Sequence, residues 1–158
     1  MSHTPIAAVA GLGLYLPEYP SLSAWLAGDP VEAGKPSGAL LDRRTRRRSS
    51  QLTRAIADAY GEALAASGLD ATLIGSVFGS ALGEASTMIG ILDQMWRDHE
   101  APSPMAFATS VHNAASGGVS IGTKHRAFTT SLAADFDTPA MSLMEAAGLL
   151  LGGGEQGA

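Results

Sequence analysis

The sequence predicts an α/β fold in which helices pack on a sheet, and two observations carry this prediction. First, apolar segments with strand character alternate with segments that have the period of helices, in the order strand, helix, strand, helix, helix, strand, helix. Second, the chain of 158 residues is 46% hydrophobic and contains 19 glycines, a composition typical of one tightly packed domain of small residues. We therefore expect residues 1–158 to form a single domain.

The N-terminal segment IAAVAGLGLYLP, residues 6–17, has the continuous apolar pattern of a buried strand that ends in a Gly-rich, Pro-stopped loop. It contains Gly11 and Gly13, but Leu16 stands where the dinucleotide-binding pattern G-x-G-x-x-G needs a third glycine. We therefore explain the two glycines by close packing of the backbone and not by a nucleotide site.

Residues 20–42 predict a surface excursion, because Pro and Gly interrupt them, with one short amphipathic piece around residues 22–26. The next segment, DRRTRRRSSQLTRAIADAYGEALAASGLD, predicts the clearest helix of the chain, and Gly68 supplies its C-terminal stop. The apolar residues that recur there at helical spacing are Leu52, Ile56, Ala59, Tyr60, Ala63 and Leu64.

The remaining segments complete the alternating order. LIGSVFGSALGE predicts the second strand, and STMIGILDQMWRDHE predicts a helix with an apolar stripe. After a Pro-bounded loop, a helix of small residues follows His112. Glycines are unfavourable in an exposed helix, so these residues indicate that another backbone approaches the helix closely. AFTTSL predicts the third strand and TPAMSLMEAAGLLL the final helix, with Thr138 as its N-cap and Pro139 as its first residue. A further strand is expected at GGGEQGA.

The charges are unevenly distributed along the chain. Ten Lys and Arg against 15 Asp and Glu give a net charge of −5, which argues against a general nucleic-acid binder. Six of the ten basic residues nevertheless lie between Arg43 and Arg54, so this basic patch can attract an acidic partner. Two other interpretations of the patch stay open: a solvated helix approach whose arginines pair with nearby acids, and a nucleic-acid site without stacking aromatics.

Several classes of site are disfavoured by composition. The chain has no Cys, which excludes disulfides, thiol catalysis and Cys-type zinc sites. The histidines show no metal-ligand spacing, and we predict neither a metal nor a cofactor. The N-terminal apolar run lacks a preceding basic region and is too short to span a bilayer, which favours a cytoplasmic protein without membrane contact. The four histidines are His3, His99, His112 and His125.

A series of residues between positions 103 and 126 stands in a fixed order, and its members are Ser103, Pro104, Phe107, Asn113, Gly117 and Arg126. This series resembles the N-terminal half of a β-ketoacyl synthase, a condensing enzyme with the thiolase fold. The resemblance covers most of residues 52–146 and implies a thiolase-like N-terminal half, with a mixed sheet and packed helices. Ala127 and Phe128 depart from it, because they replace a Gly-Pro pair that is common in the family.

The resemblance implies a catalytic Cys 23 residues after Asn113, where this sequence has Phe136. A Phe side chain cannot form the thiolate that takes an acyl chain from a phosphopantetheine thioester. The catalytic histidines of the family belong to a second half that is absent from these 158 residues. The resemblance therefore implies a non-catalytic protein of the chain-length-factor type, or a scaffolding partner, that acts with an active synthase in fatty-acid, polyketide or polyene-type biosynthesis.

The resemblance also implies partners and sites. The partners are a synthase subunit or a second copy of the chain, and an acyl carrier protein. The candidates for an acyl pocket or subunit interface are Met88, Ile91, Met95, His112, Asn113 and Phe136, with ordinary core packing as the alternative. The candidates for carrier-protein docking are Arg43, Arg44, Arg46, Arg47 and Arg48.

Two other functions stay open at this point. An acyl-transfer enzyme could use Asp135 or Asp137 as its nucleophile, or belong to a longer condensing enzyme, although both carboxylates are better explained as partners of a helix N-terminus. The chain could instead be a structural interaction module without an acyl role. His112 has no identified nucleophile or orienting carboxylate, so we expect it to serve an interface or capping role and not to act as a base.

Overall fold

The computed structural model describes residues 7–32, 34–97, 99 and 101–152. Its two strands are β1 (Ser76–Gly79) and β2 (Thr129–Leu132), and a 3₁₀ turn covers Asp135–Asp137. The α-helices of these residues are α1 (Leu22–Ala27), α2 (Arg43–Arg48), α3 (Gln51–Ser67), α4 (Ala85–Arg97), α5 (Pro104–Ala108), α6 (Ala114–Thr123) and α7 (Thr138–Gly152). The strand expected at the C-terminus falls mainly on residues 153–158, which lie outside the described part of the chain.

The sheet confirms the α/β prediction and carries helices on both faces. Strands β1 and β2 pair in parallel, from Ser76 opposite Thr129 to Gly79 opposite Leu132. Phe78 of β1 stacks on Tyr60 of α3 with 6.0 Å between ring centroids. The next residue, Gly79, meets α7, because a Cβ atom there would overlap the Ser142 hydroxyl. Since successive strand residues point to opposite faces, α3 and α7 cover opposite faces of the sheet.

The core lies where α3 and α6 meet. Its fully enclosed members are Leu41, Ala57 and Val119, and Tyr60 and Phe78 pack against them. The small residues of α6 permit the close approach that the sequence predicts. A Cβ at Gly118 would lie 3.3 Å from Thr53 of α3, and one at Gly122 would lie 2.6 Å from the carbonyl oxygen of Leu40.

The prediction of a strand over residues 6–17 is wrong for the described residues 7–17, which form an irregular arm along α3. The close packing predicted at its glycines is confirmed, since a Cβ at Gly11 or Gly13 would overlap carbonyl oxygens of α3. The Glu62 carboxylate on α3 accepts hydrogen bonds from the backbone N–H groups of Leu14 and Leu22, at 2.9 and 3.0 Å. A side chain therefore satisfies one backbone donor of the arm, at Leu14, and one at the start of α1, at Leu22.

The long helix predicted over residues 42–70 is divided in two. Ser50 has an extended backbone, and its hydroxyl accepts a hydrogen bond from the N–H of Thr53, so it caps α3 and separates it from α2. Asp42 caps α2 in the same way. The predicted stop at Gly68 is confirmed, because that residue adopts a left-handed conformation at the end of α3. Helix α5, which lies in the predicted Pro-bounded loop, was not expected.

None of the helices in the described residues combines the length and the apolar character that a membrane span requires.

We expect Gly13→Ala to lower the free energy of unfolding by about 1–3 kcal/mol, because the new methyl group overlaps the Ala59 carbonyl oxygen of α3. Gly61→Ala is the matched control. That glycine lies inside α3, and its added Cβ would meet Leu40 only at 4.0 Å, so the change should raise helix stability by up to about 1 kcal/mol. Chemical denaturation measures both variants, and equal midpoints would contradict the packing described for the arm.

Candidate functional site

The turn that follows β2 presents one aromatic side chain to solvent. Phe136 is the middle residue of the 3₁₀ turn between β2 and α7, and it is 95% exposed. It therefore stands at the end of a strand and before the N-terminus of a helix. An aromatic hydrocarbon at this place offers apolar contact, but neither a nucleophile nor a proton donor.

Backbone hydrogen bonds and one hydroxyl group hold this turn. The Thr138 hydroxyl donates to the carbonyl oxygen of Asp135 at 2.7 Å and accepts from the N–H of Ala134 at 3.0 Å. Asp135 has a left-handed backbone, with φ of 49°, a conformation that costs free energy for a residue other than glycine. Thr138 is thus the first residue of α7, and its hydroxyl bonds back to the turn, which corrects the prediction that it is the N-cap.

Asp135 and Asp137 flank the exposed ring. Both are exposed and lie immediately before α7. A negative charge at that end of a helix is favourable, because the first N–H groups of the helix carry partial positive charge. This placement agrees with the expected role as helix partners.

The apolar stripe of α4 is largely uncovered. Of its members only Ile91 is buried, whereas Trp96 is 84% exposed and Met88 and Met95 are each about half exposed. The stripe is therefore not a core face in this structure. The polar side of the helix carries an exposed ion pair between Asp93 and Arg97. An exposed apolar helix face of this kind can serve as a contact surface for another molecule.

His112 and Asn113 lie at the start of α6 but point to different surroundings. His112 Nε2 lies 2.7 Å from the carbonyl oxygen of Ser80, and its ring packs against Gly83. It therefore ties the segment before α6 to the loop after β1. Asn113 is the N-cap residue of α6, but its side chain makes no capping hydrogen bond.

Helix α2 concentrates positive charge at the surface. Arg43, Arg44, Arg47 and Arg48 are exposed, and Arg46 is half-buried. In the described residues the ion pair at contact distance joins Arg97 to Asp93, so the α2 arginines form no such pair there. Hydrogen bonds from Thr45 and Arg44 hold the pKa of Asp42 below its usual range, which keeps the capping carboxylate ionised.

A cleft with a volume of about 350 Å³ opens beside this helix. Arg48, Ser49 and Ser50 line one side, and residues of α5 and α6 line the other. The apolar part of the lining comes from α5, α6 and the loop between them, through Ala108, Val111, Ala114, Gly117 and Ile121. We call this space the α2–α6 cleft. Among the predicted residues, it brings together only Arg48 and Asn113.

Glu84, which forms part of the lining of the cleft, is a buried carboxylate that was not predicted as a site residue. It is 4% exposed. Its Oε1 atom accepts hydrogen bonds from Ser50 and Thr53, both at 2.7 Å, and its Oε2 atom accepts one from Thr87 at 3.2 Å. It also lies directly before α4 and beside the first turn of α3. Three hydroxyl donors and two helix N-termini therefore stabilise the buried charge.

A sequence signal for Glu84 existed. It is the only charged residue between Asp70 and Asp93, and an isolated charge in an apolar region needs a partner if it is buried. Its partners could not be identified from the pattern, because Ser50 and Thr53 lie more than 30 residues away in sequence.

Comparison with known proteins relates the chain to one family and to solved structures. The family model described as "Beta-ketoacyl synthase, N-terminal domain" matches residues 23–157. A solved structure of a ketosynthase (ApeO) in complex with its chain length factor (ApeC) from Xenorhabdus doucetiae contains a similar chain, with a TM-score of 0.69 and 27% sequence identity. The similarity covers 90% of this chain and 60% of that one, so this chain spans less than two thirds of its length. No curated protein matches.

We expect Glu84→Ala to lower the free energy of unfolding by about 1–3 kcal/mol, because it leaves the Ser50 and Thr53 hydroxyls without their acceptor. Asp93→Ala removes an exposed carboxylate of α4 and should change the free energy of unfolding by about 0.5 kcal/mol or less. Thermal and chemical unfolding of the two variants measure the difference. If both variants were as stable as the parent chain, Glu84 would not join α3 to α4 in the way described.

Proposed function

We propose that this chain, which belongs to the β-ketoacyl synthase N-terminal domain family, is a non-catalytic subunit of the chain-length-factor type. In this proposal it pairs with an active synthase that elongates acyl chains bound to a carrier protein, in fatty-acid, polyketide or polyene-type biosynthesis. The observation that carries the proposal is the exposed Phe136 on the turn between β2 and α7. This is the position at which the resemblance implies a nucleophilic Cys.

The chemistry of the turn favours a non-catalytic role. Covalent acyl transfer needs a side chain that attacks the thioester carbonyl, and a thiolate at a helix N-terminus is well suited to it. Phe136 has no such atom. The neighbouring Asp135 and Asp137 lie immediately before α7, a position at which acidic side chains commonly serve as partners of the helix N-terminus.

Two surfaces of the chain differ in chemistry, and each suits contact with a different kind of partner. The exposed apolar side chains of α4, Met88, Leu92, Met95 and Trp96, suit contact with another folded subunit. The similar chain comes from a complex of a ketosynthase with its chain length factor, which makes a synthase subunit the favoured partner over a second copy. The arginines of α2 suit an acidic partner, because they are concentrated at the surface and form no contact-distance ion pair within the described residues.

The non-catalytic role predicts that no covalent acyl adduct forms. We expect the intact mass of the chain to stay unchanged after incubation with an acyl carrier protein that bears a thioester-linked chain. Phe136→Cys serves as a test of the position, since a thiol at the same turn should accept some acyl group if the turn still lies where the resemblance implies. An increase of one acyl mass on the parent chain would refute the non-catalytic role.

The partner role predicts stable association with a synthase encoded beside this chain. We expect tagged synthase to retain the chain, and Trp96→Asp to reduce the retained amount at least tenfold, because a charge replaces an 84% exposed apolar side chain of α4. Leu73→Asp changes an equally exposed side chain that lies outside α4 and should leave retention intact. A parent chain that elutes alone as a monomer and binds no synthase would exclude this role.

A further inference from the structure

Helix α2 and the two residues after it carry three hydroxyl side chains among five arginines, in the sequence RRTRRRSS of residues 43–50. Arginines that precede a Ser or Thr are the charge pattern by which one class of protein kinases, the basophilic kinases, selects its acceptor. Arginines stand two and three positions before both Ser49 and Ser50. We propose that Ser49 is a phosphorylation site of a basophilic kinase, and that its phosphate lowers the positive charge of α2.

Ser49 lies in the short break between α2 and α3, where the backbone is extended. Its φ and ψ are −79° and 143°, and Ser50 after it is extended as well. The Ser49 side chain is half-buried and lines the α2–α6 cleft. Helix α2 has only six residues, and a helix of that length is marginal in stability by itself. Local opening of α2 therefore presents Ser49 and the arginines before it to another protein.

The contacts of the three hydroxyl groups distinguish Ser49 from the other two. The Thr45 hydroxyl donates to the Asp42 carboxylate, and the Ser50 hydroxyl donates to the buried carboxylate of Glu84 at 2.7 Å. A phosphate on either residue would replace a hydrogen bond by repulsion between like charges. The Ser49 hydroxyl donates instead to the neutral carbonyl oxygen of Thr45, at 2.9 Å. Of the three positions, Ser49 therefore accepts a phosphate at the lowest cost in stability.

The surroundings of Ser49 supply both positive charge and space. Arg48 is exposed, precedes Ser49 directly and lines the same cleft. The contact-distance ion pair of the described residues, between Asp93 and Arg97, involves none of the α2 arginines. A phosphate carries a charge of about −1.5 to −2 at pH 7 and accepts strong hydrogen bonds from guanidinium groups. The cleft, with a volume of about 350 Å³, leaves room for the phosphate to bind Arg48.

The modification is a phosphoryl transfer with ATP as the donor. The Ser49 hydroxyl oxygen attacks the γ-phosphorus, and the bond between that phosphorus and the leaving oxygen of ADP breaks. The hydroxyl proton passes to a carboxylate base of the kinase. This chain supplies only the hydroxyl group, so the step depends on how the kinase recognises the segment.

The consequence for partners rests on the proposed docking of an acidic carrier protein at α2. Attraction between opposite charges raises the rate at which such partners meet and favours their complex. A phosphate on Ser49 offsets up to about two positive charges of α2 and places negative charge at the surface that the acidic partner approaches. Phosphorylation of Ser49 therefore weakens docking at α2, whereas contacts made by the apolar side chains of α4 do not depend on this charge.

The first experiment incubates the folded chain with ATP and a kinase that requires arginines two and three positions before its acceptor. We expect the intact mass to rise by one phosphate, which peptide mapping locates on Ser49 and not on Ser50. Ser49→Ala should abolish the modification, and Ser49→Thr should restore it. A peptide of residues 43–54 is the reference, because its hydroxyl groups lack the Glu84 contact, and it should be modified at both serines.

Substitutions of the arginines test how the segment is recognised. Arg46→Gln combined with Arg47→Gln should slow phosphorylation of Ser49 at least tenfold, because both arginines stand at the positions that the kinase reads. Arg43→Gln combined with Arg44→Gln is the matched control. It removes the same charge from α2 but further from the acceptor, and the rate should stay within about twofold. Equal slowing by the two pairs would contradict the proposed recognition.

The second experiment measures, by isothermal titration calorimetry, how an acyl carrier protein binds the chain before and after phosphorylation. We expect the affinity to fall at least tenfold. An unchanged affinity would refute control of docking by the phosphate.

The outcomes separate this inference from the proposed function. If the folded chain stays unmodified, or carries its phosphate mainly on Ser50, the assignment of Ser49 is wrong, while binding of the carrier protein to the unmodified chain still supports docking. If Ser49 is modified and the unmodified chain binds no carrier protein, the phosphorylation site stands and the proposed docking fails.

Discussion

Close packing around helix α3 is the constraint on which the rest of the structure depends. The N-terminal arm, the sheet and α6 all contact this helix, and the arm lies so close that side chains at Gly11 and Gly13 would overlap carbonyl oxygens of α3. Gly118 of α6 packs against Thr53 of α3, and Ala57 of α3 is fully buried. Because the backbones approach one another closely at these positions, larger side chains there would force the packed elements apart. The α2–α6 cleft depends on this packing, since Thr53 and Gly118 both line it.

Most elements could be predicted from the sequence because they depend on local patterns. Helices α3, α4, α6 and α7 follow from apolar periodicity, and β1 and β2 follow from short β-branched and aromatic runs between turn residues. The arm at residues 7–17 could not be predicted, because an apolar run shows burial or strand character but does not reveal its pairing partner. In the structure the arm packs along α3, where Glu62 accepts the N–H group of Leu14. The break between α2 and α3 at Ser50 could not be predicted either, because arginines, which favour a helix, lie both before and after this cap.

The candidate site also has parts that could be predicted from the sequence and parts that could not. The turn at Phe136 could be located because the strand before it and the helix after it both have clear local patterns. The arginine patch is visible as a run of charge. Glu84 and the cleft depend instead on contacts between residues far apart in sequence, and these contacts exist only after α3, α4 and α6 have packed. Sequence patterns along single elements therefore identify the surfaces of this protein better than its enclosed spaces.

Many apolar side chains of α4 and α7 are exposed in the described part of the chain. The described part buries few large apolar side chains, whereas α7 exposes apolar residues on most of its surface, at Met141, Leu143, Met144, Leu150 and Leu151. A helix that is apolar on all sides is normally enclosed. Thr138 holds the local geometry of the turn through backbone atoms, and this does not require a particular side chain at position 136. The small α3–α6 core does not cover the apolar faces of α4 and α7. Within the described residues, the packing that keeps the turn in place thus leaves the apolar side chains of α4 and α7 exposed, together with Phe136.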